Sequence, residues 1–159
     1  MTAGGSSSAA GDIGPRILPL WATPTAGDLV ATAVAAARRS APAVRFACDI
    51  DPRIPPIGEL QSLATLLAAL VQQAVVAAVV PDPESDLPPL CEVVVTAVET
   101  GAGLEIEVAD SGAARTAVAA DVEAMAARLG GSLVVAACPE GGTAVTLRLP
   151  RRRGRSMAA

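Results

Sequence analysis

The sequence predicts an α/β two-layer sandwich: a mixed five-stranded sheet covered on one face by about three helices. Three observations predict it. Short segments alternate apolar with polar residues and end in glycine or proline, the two-residue period of a strand with one buried face. Longer segments carry apolar residues at helical spacing. The two kinds succeed one another as helix, strand, long helix, strand, strand, helix, strand, strand, which suits helices layered on a single sheet. A ferredoxin-like β-α-β-β-α-β core with an added strand satisfies the same order, and periodicity alone does not choose between the two.

The first helix is expected over residues 28–40, with Asp28 as its cap, Leu29, Val30 and Val34 apolar, and Arg38 and Arg39 in the last turn, where cations favour the dipole. Pro42 ends it. "VRFACDI" then sets Val44, Phe46 and Cys48 against Arg45, Ala47 and Asp49 as a half-buried strand. "DPRIPPIGE" leads to the long helix at residues 63–80, "LATLLAALVQQAVVAAVV". After the loop "PDPESDLPP", strands at residues 90–99 and 104–110 are joined by "TGAG", the spacing of a hairpin. A helix over 117–129 places Val118, Val122, Met125, Ala126 and Leu129 on one side and stops at Gly130-Gly131. Strands at 132–138 and 143–149 flank "PEGG" and close the chain's regular part. The expected core joins Leu66, Leu67, Leu70 and Val75 to Val93, Val95, Ile106, Val108, Val134 and Leu147.

Residues 1–20 are expected to form a flexible leader, 21–150 one domain and 151–159 a basic tail. The apolar piece "ILPLW" is expected to dock on the domain. With 159 residues there is enough chain for a sizeable core, yet aromatics are only 1% against 52% hydrophobic residues, so Ala, Val, Leu and Ile must build it. So few rings leave almost nothing on which bases could stack, and a net charge of -4 argues against a nucleic-acid partner. The cluster "RRRGR" is read as a solubilising end or linker, or as a weak anion contact. Cys48, Cys91 and Cys138, without CxxC spacing, are expected as reduced, buried thiols. The chain holds 0 histidines, which excludes a phosphohistidine and histidine acid–base chemistry on this polypeptide. The stretch 63–80 is long enough to raise a membrane span. Its central Gln72-Gln73, its closing Pro81 and its lack of basic flanks favour a buried helix and no membrane insertion.

Four phrases carry a resemblance: "ALVQQAVVA" in the long helix, "DSGAA" from Asp110, "ARLGGSLVV", and "PEGGTAVTLRLP". In this order the chain from Asp28 to Pro150 resembles the ATP-binding catalytic domain of histidine kinases, of the GHKL (Bergerat-fold) superfamily. The resemblance implies a Bergerat-like sheet and a cytoplasmic location. It further implies that Asp110 receives an adenine amino group, that Gly112 lets backbone approach the base, and that Gln73 stands where an asparagine holds the Mg²⁺ of ATP.

The departures matter as much. Gln73 has the amide oxygen on a longer stem, and Mg²⁺ tolerates little displacement. Ala69 replaces an earlier asparagine, Ala114 replaces a glycine, and only "ARTAVAAD" stands where the family has an ATP lid and a glycine-rich phosphate cradle. Bland readings stand beside each. Asp110 also suits a strand end, Gln72 and Gln73 a sheet edge or solvent, the glycines tight turns, and Glu105 with Glu107 a solvated strand face. The resemblance thus implies a degenerate domain with weak or absent binding of ATP and Mg²⁺, no catalytic residue, and docking to a signalling protein such as a response regulator. An active reduced kinase of the anti-sigma-factor type, using Asp110 and Gln73, and a ligand-free interaction domain are the alternatives.

Overall fold

The computed structural model describes residues 22–151 except Asp82, Ser85 and Leu87. The apolar "ILPLW" piece, the leader and the tail beyond Arg151 lie outside the described residues.

Helix α1 (Ala26–Ser40) starts two residues earlier than the apolar pattern suggested. The cap is Thr25, not Asp28: Thr25 Oγ1 accepts from the Asp28 N–H at 3.1 Å, and the Asp28 carboxylate accepts from the Thr25 N–H at 2.8 Å. This reciprocal box satisfies two helix-end donors, one more than a lone aspartate cap does. Strand β1 (Arg45–Ile50) follows, then α2 (Leu60–Ala78). The cap of α2 is Glu59, whose carboxylate accepts from the N–H groups of Gln61 at 2.9 Å and Ser62 at 2.7 Å.

The remaining elements are β2 (Glu92–Glu99), β3 (Gly103–Asp110), α3 (Ala120–Arg128), β4 (Ser132–Ala137) and β5 (Thr143–Pro150). They form one mixed sheet of order β1-β2-β3-β5-β4, in which β1 runs parallel to β2 and the other pairs are antiparallel. A ferredoxin-like split βαβ places a strand between its two parallel members. Here β1 pairs with β2 directly, so that alternative falls and the sandwich stands.

All three helices lie on one sheet face. Leu63, Leu66, Leu67, Leu70, Val71, Ala74 and Val75 of α2 are buried with Val93 and Val95 of β2, Ile106 and Val108 of β3, and Val145 and Leu147 of β5. The helix has the length and composition to cross a membrane, but this leucine-rich stripe belongs to the core of the sandwich. Two expectations are corrected. Val134 is 40% exposed, because β4 pairs Leu133 with Leu147 and Val135 with Val145, which turns those two inward and Val134 to the open face. The three cysteines are free but only half-buried.

Two measurements check this packing. Leu70→Ala is expected to cost about 2–5 kcal/mol, the range for a truncated core leucine, while Val134→Thr stays within about 0.5 kcal/mol; urea melts of both variants decide it. Hydrogen bonds from Ser62 and Gln61 hold the Glu59 carboxyl below its usual range. A lowered folded pKa favours folding above the unfolded value, and that advantage disappears as pH falls through the folded one. Glu59→Gln is therefore expected to be less stable than the parent at pH 7, with the gap closing on the acid side.

Candidate functional site

Strand β3 ends on Asp110, whose residue exposure is 4% and whose side chain is fully buried. A charge in that position needs partners on every side. Oδ1 accepts from the Gly112 N–H at 3.0 Å, closing a tight Asx turn. Oδ2 accepts from an Arg115 guanidinium NH2 at 2.5 Å. The arginine comes from the segment 111–119, which has no helix or strand of its own. Its backbone is pinned independently, since the Arg115 N–H donates to Thr143 Oγ1 at 2.8 Å. Thr143 opens β5 opposite Asp110 in register, and these two are the buried polar or charged residues among those described.

Gly112 is needed here for a reason other than ligand approach. A Cβ on it would lie 2.1 Å from the Ala77 carbonyl oxygen, so the turn is wedged against the last turn of α2. Gly142 is similarly close, with a Cβ position 1.8 Å from the Asp110 carbonyl oxygen and φ of +90°. Both glycines thus let three backbone segments meet around the aspartate.

On the outer side of this cluster lies a cavity of about 430 Å³, lined by Gln72, Gln73, Val76, Ala77, Val80, Ala113 and Arg115. Of the sequence-predicted residues, Gln73 lines it, whereas Asp110 and Gly112 are not among its lining residues. Gln72 is exposed. Gln73 Oε1 and Arg115 Nε are both buried without a hydrogen-bond partner. The charged side chain in this lining is a cation. Mg²⁺ is held by carboxylates and phosphates in octahedral geometry, and among the described residues no carboxylate lines the cavity. Two side-chain amides beside a guanidinium do not fit Mg²⁺. The start of α3 fits an anion no better: Asp121 and Glu123 occupy its first turn, and Asp121 takes the Val122 N–H at 3.0 Å.

Glu105, Glu107 and Cys138 are accounted for locally. Glu105 pairs with Arg148 at 3.4 Å, and Glu107 accepts from Thr146 Oγ1 at 3.3 Å across the strands. Burial, and then the charges of Glu107 and Asp110, push the Cys138 thiol up, which keeps it protonated and a poor nucleophile.

Sequence reasoning missed Arg115 and Thr143. The threonine's signal was its place directly after the glycine pair, at a strand start. Arg115 offered only its isolation in an alanine-rich run.

No protein-family model matches the sequence, and no curated protein sequence matches it. Solved structures do match in fold. The ATP binding domain of PrrB from Mycobacterium tuberculosis superimposes with a TM-score of 0.62 at 23% identity, over 77% of this chain and 91% of that one. The cytoplasmic segment of histidine kinase QseC gives 0.57 at 18%, over 80% and 75%. The catalytic domain of histidine kinase ThkA gives 0.59 at 12%, over 77% and 91%. The mixed five-stranded sheet with three helices is the fold of histidine kinase ATP-binding domains.

The ion pair at the centre of the site has a measurable coupling. Removing one partner of a buried pair costs about 3–5 kcal/mol; with the guanidinium 27% exposed, Arg115→Ala is expected to lose about 2–4 kcal/mol. The double variant with Asp110→Asn should lose less than the sum of the single changes, a difference that denaturant melts of the four-protein cycle report.

Proposed function

We propose that this chain is a degenerate histidine-kinase-like domain of two-component-type signalling, a protein-docking or regulatory module with weak or absent ATP binding. The fold supplies the class. The observation that carries the reading is the state of Asp110: its buried carboxylate already accepts from Gly112 and Arg115, and Asp110 is not among the residues that line the cavity. Two further features support it. The segment 111–119 is too short for a lid and offers no run of glycine amides to phosphates. Among the described residues the cavity lining presents no carboxylate for a metal. With a cytoplasmic location, the fitting partner class is another signalling protein such as a response regulator.

A second reading rests on Gln73. Its buried, unpartnered Oε1 lies in the helix where a metal-bound nucleotide would need an oxygen, as an active reduced kinase of the anti-sigma-factor type would require. The cation beside it weighs against that reading.

Calorimetry with adenosine, ADP and ATP, each with and without Mg²⁺, separates the two. The expected result is a Kd of about 1 mM or weaker, near -4 kcal/mol or less favourable, with no gain from the γ-phosphate or from Mg²⁺. Micromolar, Mg²⁺-dependent ATP binding that disappears in Asp110→Asn would overturn the degenerate reading in favour of the kinase. Absence of any binding leaves a docking module.

A further inference from the structure

We infer that Arg115 is the specificity-determining residue of this site: its guanidinium is an internal stopper that occupies Asp110 and keeps amino-bearing heterocycles such as adenine from reaching it. The inference rests on the proposal above that this is a degenerate ATP-binding site and adds which residue keeps the base out of it.

Three observations carry it. First, Arg115 links cavity and carboxylate: it lines the cavity, Asp110 is not among the lining residues, and the arginine NH2 lies 2.5 Å from Asp110 Oδ2. An exocyclic amine needs the same acceptor and reaches it only when the arginine leaves. Second, Arg115 can leave without unfolding its loop. The backbone N–H is held by Thr143 Oγ1 at 2.8 Å, an anchor that does not depend on where the side chain lies. The side chain is 27% exposed against 0% for its partner, so it has a route to solvent that the aspartate lacks. Third, the closed position is imperfect. Nε is buried with no acceptor, and an unsatisfied buried donor is a penalty that swinging out to water removes.

This differs from the loss of lid and phosphate cradle, which affects the phosphate end of a nucleotide. The arginine acts on the base. Removing it therefore restores affinity for adenosine, while leaving ATP little better than adenosine.

The test is adenosine binding by calorimetry to the parent chain, Arg115→Met, Arg115→Ala and the Asp110→Asn/Arg115→Met double variant, with folding checked by circular dichroism. Methionine keeps the stem's length and packing without the charge, so it stays informative if the alanine variant fails to fold. A gain of about ten-fold or more in Arg115→Met, equal to 1.4 kcal/mol, that vanishes in the double variant is the expected result. A folded Arg115→Met that binds adenosine no better than the parent overturns the stopper, while the reading of a weakly binding domain survives. A loss of binding in that variant also overturns it, because Arg115 is then a ligand contact. Micromolar ATP binding by the parent defeats both the degenerate function and the stopper, because the base then enters with the arginine in place. In the parent itself, adenosine at millimolar concentration should shift the Arg115 Nε–H resonance toward its free position; an unchanged resonance alongside a shifted Gly112 amide contradicts the inference.

Discussion

Asp110 has its side chain wholly out of water, and a charge in that situation must be met by protein atoms alone. Much of the lower end of the sheet is arranged around that demand. The β3 strand stops there because the carboxylate folds back on the Gly112 N–H. The start of β5 supplies Thr143 to anchor the segment that delivers the arginine, and two glycines let α2 and the β4–β5 turn come within backbone contact. If the aspartate were an ordinary exposed strand end, none of these close approaches would have a reason.

The helix that completes the site is also the middle of the core. α2 touches α1, α3, β2 and β3, and its inward leucines are fixed by the sheet, which fixes where Gln73 and Ala77 stand at its far end. Function at this place therefore inherits its geometry from packing. The cost is visible in two buried polar atoms with no partner, Gln73 Oε1 and Arg115 Nε. Such atoms are rare in stable interiors, and here both lie beside one cavity.

How much of this was legible in the sequence follows from the range of each signal. Periods of two and 3.6 residues are local, so the element order and the sandwich were readable, as was the strand end at Asp110. The sheet order was not, since β1 beside β2 is a choice between distant segments. Val134 was misplaced because β4 is apolar on both faces, "SLVVAA", so alternation gives no parity there, and only pairing with β5 sets it. The cap of α1 was missed because Thr25 and Asp28 are both good capping residues, and the box uses both. The candidate positions Gln73, Asp110 and Gly112 came from phrases that resemble a family, whereas the Arg115 contacts to Asp110 and Thr143 depend on a turn and on a residue 28 positions away. Nothing in an alanine-rich run announces which carboxylate its one arginine will find.

The parallel pairing of β1 with β2 bears on the order in which the molecule assembles. The β2–β3 and β4–β5 hairpins close short loops and can form early, but β1 can join β2 only after α2 has been laid across the sheet. Non-local pairings of this kind are slow, and of the two edge strands, β1 and β4, β1 is the one held only by such a pairing, since β4 is tied to β5 by a hairpin. The α1–β1 unit is then the part that opens while the antiparallel four strands persist, so the Arg45 amide, bonded to the Cys91 carbonyl at 2.8 Å, should exchange its hydrogen before amides in the middle of β3. Equal protection at both places would show instead that the sheet opens as a whole. A sequential opening leaves the Asp110 clamp, at the β3–β5 side, inside the most persistent portion of the fold, so that the N-terminal helix and strand can be released without disturbing the arginine.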